Sequence, residues 1–125
     1  MDQLQRRQIE ELLHDIQKQL PDVYREMLGC LDEYDGFAPS KMFGQFCEIT
    51  NRAMREKDAV TLCEHLSYMS NQLKTAAEAC YEMIDVYYVE SLMWNVNADE
   101  AKWAWGYFPK NIKDLYIKMW GQPEF

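Results

Sequence analysis

Apolar residues recur every three or four positions along nearly the whole chain, interrupted by only five glycines and four prolines in 125 residues. That spacing puts apolar side chains on one face of an α-helix, and no useful stretch alternates with the two-residue period of a strand. An all-α fold is therefore expected. Ile9, Leu13, Ile16 and Leu20 form the first stripe, which Pro21 ends while opening the next helix. Val23, Met27, Cys30 and Tyr34 continue the pattern as far as Asp35-Gly36. A third helix, capped by Ser40, carries Met42, Phe46, Ile49 and Ala53, with Phe43 and Cys47 beside them. Asp58 caps a fourth, whose stripe is Leu62, Leu66, Met69 and Leu73.

No Gly or Pro interrupts the segment from Asp58 to Trp94, which is long for one helix in a small domain. A break is expected at the capping-box sequence Thr75-Ala-Ala-Glu78, with a fifth helix from about Ala76. At ~100° per residue, Ala77, Cys80, Ile84 and Tyr87 share a core-facing side of that helix. Glu78, Glu82 and Asp85 share the opposite side, flanked by Tyr81 and Tyr88. Asn97-Ala-Asp-Glu100 opens a short helix containing Trp103 and Trp105 and ending near Gly106. A last helix follows Pro109, with Ile112, Leu115, Tyr116 and Met119 as its stripe and Gly121 as its stop. The expected architecture is one domain, 1–125, of six or seven helices in an irregular bundle or short solenoid-like stack.

Charge is distributed unevenly. The formal net charge is −8, which argues against a protein that tracks nucleic-acid phosphates. Between Lys74 and Lys102 lie six acids and no base: Glu78, Glu82, Asp85, Glu90, Asp99 and Glu100. Aromatics concentrate in the same half, with 11 of the 17 Phe, Trp and Tyr residues from Tyr81 onward. Acids steer basic partners, and Tyr and Trp anchor interfaces. Glu78, Tyr81, Glu82, Asp85 and Tyr88 are therefore the candidate partner-binding residues. The simpler alternative is a helix with a solvated acidic face and a buried aromatic one. The last helix is basic (Lys110, Lys113 and Lys118 against Asp114) and is expected to lie against the acidic helix.

Catalytic signatures are scarce. There is no Gly-rich phosphate loop, GxSxG elbow or HExxH, and no CxxC accompanies Cys30, Cys47, Cys63 and Cys80. Adjacent Glu64 and His65 point about 100° apart on a helix and do not converge on one substrate. Glu78 and Glu82 form an i,i+4 carboxylate pair, but no second set of ligands brackets them. No catalysis, metal or cofactor is expected. The charged N-terminus lacks a signal-peptide run and no apolar segment is long enough for a membrane span, so a cytoplasmic protein with reduced thiols is expected.

Two stretches carry a likeness to a known group. YEMIDVYYVESLMWN (81–95) and FPKNIKDLYIKMWG (108–121) contain a Val-x-hydrophobic-x-Glu-x-Leu element, Val86 to Leu92, and a closing Pro-x-x-Ile-x-x-Leu-Tyr helix, Pro109 to Tyr116. With Asp35-Gly36 and the helix Met42 to Asn51, these patterns span about two thirds of the chain. They resemble a family of small all-helical bacterial immunity proteins associated with contact-dependent growth inhibition and polymorphic toxin systems. The resemblance implies a cytosolic inhibitor that binds one cognate toxin domain, with Glu90 as a residue holding the loop after its helix. It carries over no catalytic residues. A nuclease toxin would present the basic cleft that an acidic surface seeks. The alternatives are an acidic adaptor or regulatory protein-binding module and a small carboxylate-dependent enzyme. Neither the toxin's activity nor the oligomeric state is written in the sequence.

Overall fold

In a computed structural model describing residues 1–125, the chain forms seven α-helices and no strand. They are α1 (Gln3–Gln19), α2 (Pro21–Gly29), α3 (Pro39–Arg55), α4 (Ala59–Thr75), α5 (Glu78–Ile84), α6 (Ala98–Trp105) and α7 (Lys110–Trp120). α5 runs without a break into a π-helical turn, Asp85–Val89. No helix is long and apolar enough to cross a membrane.

Local chemistry sets most boundaries. Asp2 and Gln5 form a reciprocal capping box on α1, and Asn97 and Glu100 do the same for α6. Asp58 caps α4, its Oδ1 accepting from the Thr61 N–H at 3.1 Å. The break after Thr75 is present, but the expected capping box does not form: Thr75 ends α4, and α5 starts at Glu78 rather than near Ala76, with Ala77 as an N-cap that offers no side-chain oxygen. Gly121, at φ +84, ends α7 in the left-handed region that glycine tolerates. Two further boundaries differ from expectation. α2 stops at Gly29, leaving Tyr34 exposed in a turn. α3 starts at Pro39, one residue before the expected cap Ser40, because proline suits the first helical position.

The helices make an irregular bundle rather than a stack, because α3 is central. It touches α2, α4, α5, α6 and the π turn, and buries ten of its seventeen residues. Met42, Phe43, Phe46, Cys47, Ile49 and Ala53 lie in one apolar cluster with Leu62, Leu66, Met69 and Leu73 of α4. α7 docks on α4 through Asn111, whose Nδ2 donates to the Ser70 carbonyl at 3.0 Å while its Oδ1 accepts from the Ser70 hydroxyl at 2.7 Å.

Polar groups inside this core are linked. Thr50 Oγ1 donates to the Phe46 carbonyl at 3.2 Å, and lies 2.9 Å from the Tyr88 hydroxyl and 3.0 Å from His65 Nδ1. One hydroxyl carries one hydrogen, so once that goes to Phe46 the oxygen accepts from Tyr88 and from His65 Nδ1–H. Burial, and after it the Arg52 guanidinium, lowers the His65 pKa to about 4, which keeps the ring neutral. No buried side-chain nitrogen or oxygen is left without a partner.

Candidate functional site

The acidic face is formed, with one correction. Glu78 and Glu82 are exposed on α5, Asp85 opens the π turn half-buried, and Tyr81 is 40 % exposed beside them. Tyr88, expected at the edge of this face, is instead fully buried against Phe46, their rings edge-to-face at 5.2 Å. Tyr87, expected in the core, is 41 % exposed. The π turn explains the exchange. Its i→i+5 pairing, seen as the Glu90 N–H donating to the Asp85 carbonyl at 3.1 Å, advances each residue by less than an α-helical step. Tyr87 therefore stops short of the core and Tyr88 turns into it. The surface set is Glu78, Tyr81, Glu82, Asp85 and Tyr87.

Most charges on this face have no internal answer. Of the six acids between Lys74 and Lys102, only Asp99 forms an ion pair, at 2.9 Å from Lys57 Nζ in the α3–α4 turn. That lysine holds the Asp99 pKa below the usual carboxylate range. The basic α7 does not quench the others. It packs on α4 and the π turn, Lys110 pairs with Asp114 at 2.8 Å, and Lys113 lies over the Trp105 ring at 5.3 Å.

A second feature follows the π turn and was not assembled from the sequence. Residues 90–97 cross the C-terminal half of α3, where Asn51 clamps them. Its Oδ1 accepts from the Met93 N–H at 2.8 Å and its Nδ2 donates to the Ser91 carbonyl at 3.0 Å. Met93 is held at φ +67, a left-handed conformation that is costly outside glycine. This bend leaves Trp94 79 % exposed. Trp120, from the end of α7, is 56 % exposed, and its Nε1 donates to the Glu90 carbonyl at 2.8 Å. Thus the Glu90 main chain, rather than its carboxylate, ties the loop to α7.

Trp94 and Trp120 line a cleft of about 410 Å³ together with Glu48, Glu90 and Ser91, floored by Gly44, Cys47 and Asn51 of α3. Burial pushes the Cys47 thiol up to about 12, so it is an apolar floor rather than a nucleophile. The sequence signal was the pair of tryptophans, 26 residues apart. Nothing in their spacing says that they meet, because α6 and its flanking loops bring the end of α7 back.

Elsewhere, Glu64 is exposed whereas His65 is buried and committed to Thr50, so the two do not act as a pair. No three His, Cys, Asp or Glu side chains gather as a metal site, and the four cysteines are unpaired. What the geometry offers is surface: unpaired carboxylates next to exposed aromatics. Nothing among curated proteins or solved structures matches the chain. A family model does: the domain of unknown function DUF7674 matches residues 13–121, which include all of α2 to α7, the acidic face and both cleft tryptophans. The chain belongs to the DUF7674 family.

Proposed function

We propose that this protein is a binding inhibitor of the immunity type, which docks on a basic cognate toxin domain and blocks it. The observation that carries the reading is the unneutralised acidic block. Five of its six acids have no cation within the molecule, and Tyr81 and Tyr87 stand exposed among Glu78, Glu82 and Asp85.

Such a surface divides the work of binding. Carboxylates speed the encounter with a basic cleft, and that contribution weakens as salt shortens the screening length. Exposed aromatics supply the slow dissociation that charge alone does not. Nanomolar binding requires about 12 kcal/mol, which a standard interface delivers only through a few well-seated anchors. The resemblance to immunity proteins supports choosing a toxin as the partner.

The test is co-expression with the product of the gene immediately upstream. Co-purification and rescue of growth are expected. The triple variant E78K/E82K/D85K, its helicity checked by circular dichroism, should bind at least tenfold more weakly and with a flatter salt dependence. Unchanged affinity and salt dependence in that variant would overturn the assignment of this face. A host protein captured through the same face, with no growth rescue, would replace inhibition by an adaptor role.

A further inference from the structure

We infer that the cleft between Trp94 and Trp120 receives an arginine side chain presented by the protein partner; the source of the arginine rests on the protein-binding reading above. Three observations on the cleft converge on that occupant.

First, its polar chemistry has one acid to spare. Glu48 is occupied, accepting from Arg55 Nη2 at 2.7 Å and from Asn95 Nδ2 at 3.4 Å. Both ends of the Asn51 amide are spent on Ser91 and Met93. The Glu90 carboxylate forms neither a hydrogen bond nor an ion pair, although its own carbonyl is engaged by Trp120. Arg55, which also donates to Asn95 Oδ1 at 2.6 Å, is committed and does not fill the gap.

Second, the walls are indoles. Trp94 and Trp120 present ring surface to solvent, and the Trp120 ring is fixed by its bond to Glu90. Two tryptophans with a free carboxylate exclude an anion, which Glu90 repels. They disfavour a purely apolar group, which would strip water from Glu90 without replacing it. A cation over an indole face is attracted by the ring quadrupole. Arginine fits better than lysine, because its planar guanidinium stacks on an indole while its fork meets a carboxylate.

Third, the floor is kept open. Gly44 sits in the interior of α3, and a Cβ built there meets nothing within 4 Å. Neither packing nor a positive φ calls for glycine at this position, and glycine weakens a helix. What the missing side chain provides is depth beneath the two indoles.

The experiment titrates acetyl-arginine amide into the full chain and follows the indole ¹H–¹⁵N signals of Trp94 and Trp120. Acetyl-citrulline amide, planar and of nearly the same shape but uncharged, is the control. Both indole signals should move, with the arginine derivative binding at least tenfold more tightly than citrulline. Glu90→Gln and Trp94→Ala should each weaken binding severalfold or more, and Gly44→Leu should abolish it without lowering the thermal midpoint. E78K/E82K/D85K should leave this titration within twofold of wild type, which separates failure here from failure of the acidic-face assignment. Absence of any shift, equal binding of citrulline, or shifts indifferent to Glu90→Gln would overturn the proposal. Glu90→Gln is near-isosteric and removes no internal bond, so it reports even if Trp94→Ala fails to fold.

Discussion

The hydroxyl of Tyr88 lies 2.9 Å from Thr50 Oγ1, joining the π turn to the middle of α3 across 38 positions of sequence. The Tyr88 hydroxyl has no other partner at that depth, and His65 depends on the same Thr50 oxygen. Tyr88→Phe should therefore cost about 1–2 kcal/mol, the usual range for losing one buried hydrogen bond. Thr50→Val should cost more, about 2–3 kcal/mol, because it strands both the phenol and the imidazole N–H. A double-mutant cycle by urea unfolding should show the two losses to be non-additive, since the second change removes a group already orphaned. Strict additivity would mean that the two hydroxyls do not depend on each other.

Acidification should weaken the fold through His65. Its folded pKa of about 4 lies below the ordinary value of 6.5, so the unfolded chain takes up the proton first. The contribution is complete above pH 6.5 and is lost as pH falls from there toward 4. A shift of that size corresponds to on the order of 3 kcal/mol. Unfolding free energies measured between pH 7 and pH 4 should decline accordingly, and in His65→Gln that slope should flatten whatever the variant's absolute stability. Asp58 and Asp99, whose pKa values are lowered by Thr61 and Lys57, take effect in a more acid range.

Gly44→Ala should stabilise the protein. The position is helical, its backbone is ordinary and the added methyl enters open space. The expected gain is about 0.5–1 kcal/mol, the difference in helix propensity between the two residues. A higher urea midpoint at unchanged slope would confirm it; a loss would show that the methyl meets an obstacle.

Asn51→Ala should loosen the loop after the π turn while sparing the helices. The change frees the Met93 N–H and the Ser91 carbonyl, and it removes the clamp on a left-handed residue. A cost of about 2–3 kcal/mol follows from two lost bonds at a partly buried site. Hydrogen exchange should localise it, with the Met93 amide losing protection far more than amides in the middle of α3 or α4.

Sequence periodicity revealed the helices because each apolar stripe on α1, α3 and α4 repeats with the spacing that burial requires. Every residue of those three stripes is buried. The stripe on α2 ran too far because Cys30 and Tyr34 kept the spacing beyond Gly29, where the helix had already stopped. Tyr87 and Tyr88 exchanged places for a different reason. A constant angle per residue describes an α-helix, and no residue type announces a π turn, which here brings Tyr88 to Thr50. The Trp94–Trp120 cleft was illegible because it joins elements that only the completed bundle brings together. The acidic face was legible since its three acids fall within two turns of one helix.

The π turn also bears on how chains of this kind can diverge. It amounts to an α-helix carrying one surplus residue, so removing a single amino acid between Asp85 and Val89 would let plain α-helical geometry run through. Everything after it would then keep its place around the helix axis, because the wide turn already absorbs the extra residue. Glu90 and Trp94 would stay beside Gly44, and Glu78, Tyr81 and Glu82 would stay where they are; only the turn that carries Tyr87 and Tyr88 would be rebuilt. A one-codon deletion here is thus a change that a descendant could absorb locally, keeping both halves of its surface while losing the arrangement of Tyr87 and Tyr88.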